Sequence, residues 1–239
     1  YSSEQDNNGG AGDTNFKPSE QSMLIEQKIF QGFSGVANLK KKKYGENLAK
    51  FQLKKIEQEK VRLIKEGKLK KKKLPSLSDE EKAFALPPNW EWERFGTIAS
   101  HNGGKTLDRG RNTGELRRYL TTSNLYWGRF DLSNVREMPI TDDQLEKCTA
   151  KKGDLLICEG GEAGRSAVWK EDQDICFQNH VHRARLYGNI DPFYGYRFFE
   201  SLNASGEINK YRKGVGISNM SGKALSSIPV PVPPLAEQH

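Results

Sequence analysis

The stretch Lys151–Trp169 (KKGDLLICEGGEAGRSAVW) constrains the fold more than any other part of the chain. A charged turn, Lys151-Lys152-Gly153-Asp154, leads into Leu155-Leu156-Ile157-Cys158, an apolar run of the length of one buried strand. Glu159 to Arg165 follows with three glycines and one arginine, and Ala167-Val168-Trp169 reads as a return strand. Such a loop suits a plain hairpin turn. It equally suits a cradle whose backbone N–H groups let a phosphate or another backbone approach closely. The surrounding chain has to decide between the two.

Charge is distributed unevenly along the 239 residues. Of the net +7, residues 40–73 carry +11, while residues 90–239 carry only +1. The basic character therefore belongs to a helical arm. Any nucleic-acid contact by the globular part must use local patches. With 35% hydrophobic and 29% charged residues, the core must be concentrated in part of the chain. No apolar run approaches membrane-spanning length and no signal peptide is visible. Cys148, Cys158 and Cys176 form no CxxC pair, which fits a reducing cytoplasm better than a disulfide framework.

Residues 1–22 are rich in Ser, Gly, Asn, Asp and Gln and are expected to be a disordered tail or linker. The first residue is not Met, so a processed, truncated or engineered N-terminus is expected. Met23 to Phe33 is a short amphipathic helix candidate. Residues 46–66 are the strongest helix signal, uninterrupted by Gly or Pro and stopped at Gly67. Leu48, Leu53, Ile56, Leu63 and Ile64 share one narrow apolar face. That face can pack on its own domain or serve as an arm for another subunit. The arm reading is preferred, because an isolated helix of this length is marginal in water and must dock somewhere. The helical arm is placed at 23–73 and a proline-bearing linker at 74–89.

The globular part begins at Trp90, with Trp90, Trp92 or Phe95 seeding the core. Strands are predicted around Glu91–Phe95, Tyr119–Thr121, Leu155–Cys158, Ala167–Trp169, Ile175–Phe177 and His182–Leu186. Helices are predicted after Thr141, over Pro192–Leu202 and over Ser221–Leu225, and Ile228–Pro234 is an extended exit. Polar glycine loops lie at His101–Thr106 and Lys213–Asn219.

Catalytic signatures are weak. Cys176, His180 and His182 match no common zinc spacing, and Glu66-Gly67-Lys68 is an E-x-K at a helix stop without a preceding paired acid. No P-loop or nucleotide fingerprint follows a strand, and Pro87-Pro88-Asn89-Trp90 has the wrong order for an adenine methyltransferase. No cofactor or metal is expected.

Several pieces occur in a telling order. They are Trp90, Gly103-Gly104-x-Thr106, Gly153-Asp154-Leu155-Leu156-Ile157, Gly164-Arg165, Gly214-Val215-Gly216-Ile217-Ser218, and Ile228 to Gln238 ending in Pro-Pro-Leu-Ala-Glu-Gln. Together with Ile56–Lys73, they resemble the DNA specificity subunit of type I restriction-modification systems over roughly 30–239. The resemblance implies an α/β (α+β) fold: a mixed-sheet target-recognition domain at 90–235 behind a long-helix arm of coiled-coil type. It implies a non-catalytic subunit that reads half of a split site in double-stranded DNA and docks methyltransferase (modification) and restriction (translocase-nuclease) subunits. Members of this family carry two recognition domains. A chain ending at His239 is therefore expected to be a fragment or a half-length subunit that pairs.

Under that reading, Arg109, Arg111, Arg117, Arg118 and Arg129 have the fork geometry for guanine, and Asn124, Gln178 and Asn179 the amide geometry for adenine. Lys105, Thr106, Arg165, Lys213 and Ser218 sit in or beside glycine loops and suit phosphate contacts. Leu48, Leu53, Ile56, Leu63 and Ile64 would form the subunit interface. The competing readings are a protein-interaction module without DNA readout and a metal-dependent DNA enzyme.

Overall fold

The computed structural model describes residues 45–71, 73–87, 89–108, 110–214 and 218–238. The N-terminal tail, the 23–33 helix candidate and Arg109 lie outside the described residues. Helix α1 (Gly45–Lys65) leads to β1 (Glu91–Arg94), α2 (Phe95–Ile98), β2 (Ala99–Gly103), β3 (Glu115–Leu120), the hairpin β4 (Leu125–Tyr126) and β5 (Arg129–Phe130), and β6 (Arg136–Ile140). Then come α3 (Asp142–Cys148), β7 (Thr149–Ala150), β8 (Leu155–Cys158), β9 (Gly160–Gly161), β10 (Ser166–Val168), β11 (Ile175–Phe177) and β12 (Val181–Leu186). Helix α4 (Pro192–Ala204), β13 (Ser218–Asn219), α5 (Gly222–Ser227) and β14 (Pro229–Val232) complete the order.

Two four-stranded sheets form the body. One has the order β10-β8-β12-β2 and is antiparallel throughout; the other has the order β6-β3-β11-β7 and is mixed, with β3 and β11 parallel. The run Leu155–Cys158 is the key to their stacking. Leu155 and Ile157 join a core with Tyr194, Tyr196 and Phe199 of α4, while Leu156 and Cys158 join a second core with Leu120 and Phe177 of the mixed sheet. Alternate side chains of a strand point to opposite faces, so a strand covered on both reads as unbroken apolar sequence. The same alternation puts Ile175 and Phe177 between the sheets and turns Cys176 outward, to Tyr119, Met138, Ile140 and Cys148 beneath α3. The layers thus run helix, sheet, sheet, helix.

The helix starts have local causes. Asp191 accepts from the Phe193 N–H with Pro192 in the first turn, and Ser221 accepts from the Ala224 N–H. Thr141 stands at the N-cap position of α3 but its hydroxyl makes no capping bond.

Chain entry and exit are clasped. β1 pairs antiparallel with β14, setting Trp92 opposite Pro231 and Arg94 opposite Pro229. The Phe95 N–H donates to Ile228 O, so bonded positions recur at Val230 and Val232 and the prolines fall where no donor is needed. Trp90 Nε1 donates to Glu237 Oε2 at 2.7 Å, and Gln238 bonds both the Asp191 N–H and Pro233 O. The Leu-Ala-Glu-Gln ending is, in physical terms, this clasp. The 74–89 connector is also bound to the domain: the buried Arg94 guanidinium donates to Pro75 O, Ser76 O, Ser227 O and the Glu81 carboxylate.

Helix α1 docks on its own domain. Ile56 is 2% exposed within the first core, with Leu53 and Leu63 packed against it. Gln52 Nε2 donates to Gly188 O at 2.7 Å, and the Gly188 N–H donates to Glu59 Oε2 at 2.6 Å. This corrects the expectation that Ile56 faces another subunit. Leu48, Phe51 and Val61 are exposed on the remaining surface, and Ile64 is half-buried. Ile56→Asp is expected to detach the helix, because an unpaired carboxylate replaces a core side chain. Hydrogen exchange should then accelerate at least tenfold across 50–65 and stay slow in β8; unchanged protection of the helix would refute the docking.

Candidate nucleic-acid interface

Backbone bonds gather distant loops on one rim of the stacked sheets, where parallel β3 and β11 both end. The Gln178 N–H donates to Leu120 O, the Lys105 N–H to Phe177 O, and the Asn179 N–H to Lys105 O. The Glu159 N–H donates to His180 O and the Met220 N–H to Glu159 O. Strand β9 pairs with β13, and Lys213 exchanges both backbone bonds with Asn219. Thr106, His180, Lys213 and Asn219 are exposed here, while Lys105, Gln178, Asn179 and Ser218 are half-buried. Six residues expected at DNA from sequence thus come together: Lys105, Thr106, Gln178, Asn179, Lys213 and Ser218.

Other expected residues are engaged inside the fold. Asn124 is 4% exposed; its amide oxygen accepts from the Thr121 N–H and hydroxyl, and its amide nitrogen donates to Asp131 O and Asn134 O. No donor or acceptor remains for an adenine, which corrects that expectation. Arg165 braces the rim from beneath, donating to Thr122 O at 2.7 Å and to Glu162 Oε2 at 3.1 Å. Arg117 bonds Glu115 and Asp142; Arg111, by contrast, is exposed, 3.7 Å from Asp108. Arg118 and Arg129 are exposed and form no ion pair among the described residues. Much of the glycine loop's backbone is likewise bonded within the fold. The amides of Glu159, Ala163, Gly164 and Arg165 go to His180 O, Ser218 Oγ, Cys158 O and Glu162 O, the pattern of a hairpin turn. The Ser218 hydroxyl also donates to Gly161 O.

Against this geometry, the family model described as type I restriction modification DNA specificity domain matches residues 87–239. The chain belongs to that family. The Escherichia coli type I restriction enzyme EcoAI specificity subunit is 39% identical over 109 residues, 44% of this chain and 18% of that protein. The Escherichia coli EcoEI specificity subunit is 28% identical over 204 residues, 78% of this chain and 33% of that protein. A solved structure concerning complex assembly and conformational transition of the type I R-M system has a similar fold, at TM-score 0.51 and 18% identity, covering 93% of this chain and 50% of that one. The chain thus spans at most about a third of these curated relatives.

Two features of this specificity domain escaped the sequence reading. The first is the β4–β5 hairpin, where Tyr126 is exposed and Trp127 Nε1 donates to Glu162 Oε1 at 2.7 Å. Its sequence signal was Tyr-Trp-Gly-Arg, two aromatics and an arginine around a turn glycine. The second is a histidine pair under the rim, one ring buried and the other half-buried. His182 is 6% exposed, and its ring stands edge-on to His101 at 5.5 Å. Neither His182 ring nitrogen has a hydrogen-bond partner among the described residues, although Glu159 Oε2 is 3.6 Å from Nε2. His101 Nε2 is bonded to Ser226 Oγ at 2.7 Å. Burial pulls the His182 imidazole down to about 4 and pushes the Glu159 carboxyl up. The metal alternative drew on Cys176, His180 and His182, close in sequence, with Cys158; Cys176 faces α3, Cys158 lies between the sheets, His180 faces outward and His182 is buried in β12. Among the described residues no helix is long and apolar enough to cross a membrane.

Proposed function

We propose that this chain reads one half of a split site in double-stranded DNA for a type I restriction-modification complex in the cytoplasm, and that it is not itself an enzyme. The observation that carries the reading is the rim, where Lys105, Thr106, Gln178, Asn179 and Lys213 from separate loops stand together, their side chains without hydrogen-bond partners among the described residues. A nearly neutral domain needs such a local patch, cations holding the phosphates and amides meeting base edges. Methyl transfer, cleavage and translocation belong to modification and restriction subunits. The arm at 23–73 docks them, and Leu48, Phe51 and Val61 on the outer surface of α1 supply apolar contact. A second recognition domain, in a longer form of the chain or in a second copy, supplies the other half-site.

The test is co-expression with the neighbouring methyltransferase subunit and genome-wide mapping of methylated adenines. A bipartite motif is expected, and Lys105→Ala with Lys213→Ala should lower methylation evenly across all positions while leaving the motif unchanged. Wild-type complex that methylates no defined motif would reject the reading in favour of a protein-interaction module.

A further inference from the structure

The β4–β5 hairpin projects a rigid aromatic–arginine unit beside the rim. Its base is locked by Leu125, which is fully buried, by Phe130 edge-on to Trp169 at 5.0 Å, and by the four Asn124 bonds. Its tip is locked by the Gly128 N–H, which donates to Ser166 O at 3.0 Å, and by the Trp127 bond to Glu162. Gly128 has φ +70° and a Cβ there would lie 2.7 Å from Tyr196 Oη, so only glycine makes this turn. Two groups near the tip face solvent. These are the Tyr126 ring, 37% exposed, and the Arg129 guanidinium stacked 4.3 Å above its centroid. The Arg165 guanidinium lies 5.5 Å from the same ring and is itself held by Thr122 O.

We infer that this hairpin enters the major groove, where Arg129 reads the O6/N7 edge of one guanine and Tyr126 is its positioning residue. The inference rests on the DNA-reading function proposed above. A major groove admits a two-stranded β-ribbon, and a guanidinium fork matches guanine bidentately. Stacking on Tyr126 holds the guanidinium in place before DNA arrives, which lowers the entropy lost on binding. A lysine would keep the charge but not the fork.

The test uses the complex of this chain with its methyltransferase partner and reads the methylated motif position by position. In wild type a defined motif must appear; its absence would overturn the DNA-reading function and this inference with it. Given that motif, Arg129→Lys is expected to relax one G·C position about tenfold while the other positions stay sharp. Tyr126→Leu should relax the same position, the double variant should be no worse than Arg129→Lys, and Tyr126→Phe should behave as wild type. An unchanged motif in Arg129→Lys, or a loss spread evenly over all positions, would overturn the inference alone. If Tyr126→Leu does not fold, the position-specific loss in Arg129→Lys still decides.

Discussion

Replacing Gly104 with alanine is expected to cost the domain about 4 kcal/mol, in the range reserved for unrelieved steric conflict. A Cβ at this position would stand 1.9 Å from Phe177 O and 2.6 Å from the Phe177 carbonyl carbon. The obstacle is backbone in the central strand β11, held on one side by β3 and on the other by β7, so it cannot rotate away. The contact is close because the Lys105 N–H donates to that same Phe177 O at 3.0 Å. Relieving the clash must therefore break the bond that seats Lys105 on the rim. For a domain of this size, about 4 kcal/mol corresponds to a fall in Tm of roughly 8–16 °C. Gly103→Ala meets only Asn179 O, at 3.0 Å, and is expected to cost about 1 kcal/mol. Calorimetry of both variants checks the pair. A Gly104→Ala protein melting within about 2 °C of the parent would show that the strand yields and that the rim is not fixed this way.

Stability is also expected to fall with acid over a window set by His182. Burial holds the folded imidazole at about 4, below the ordinary value of 6.5. Between these values the unfolded chain binds the proton and the folded chain does not, so unfolding gains as pH falls. The contribution is fully present above about pH 6.5 and is lost by about pH 4, amounting to about 3 kcal/mol over the window. From pH 7 to pH 5 the loss from this side chain alone is about 2 kcal/mol. His182→Asn removes the titration, so urea unfolding of that variant should show a flatter dependence across this interval, whatever its stability at pH 7. Identical pH slopes in both proteins would mean that the ring is hydrated or bonded in the folded state.

Both predictions concern the layer under the rim, where the local sequence is a poor guide. His182 sits in a strand pattern that places it inside, yet its companions His101, Glu159 and Ser226 come from elsewhere in the chain. The arginines make the same point. By type and place in the sequence, Arg117, Arg118 and Arg129 are expected at guanine edges and Arg165 at a phosphate. Arg117 is held by Asp142 and Arg165 by Thr122 O, 25 and 43 residues away, and Asn124 is consumed by Asp131 and Asn134. Arg118 and Arg129 stay exposed.

What the amino-acid sequence determined by itself is the set of elements and their buried faces. The run Leu155–Cys158, the capped helix after Asp191, the long helix stopped at Gly67 and the proline-spaced exit strand all follow from periodicities of two or 3.6 residues and from turn chemistry, which act over a few neighbours. The tertiary structure decided which polar groups are free and where α1 packs. A hydrogen-bond donor is spent or available according to what lies opposite it in space, and those partners, such as Gly188 for Gln52 and Glu59, are 136 and 129 residues distant in the chain. No pattern read along the backbone carries that information, because it arises only when the two sheets close on each other.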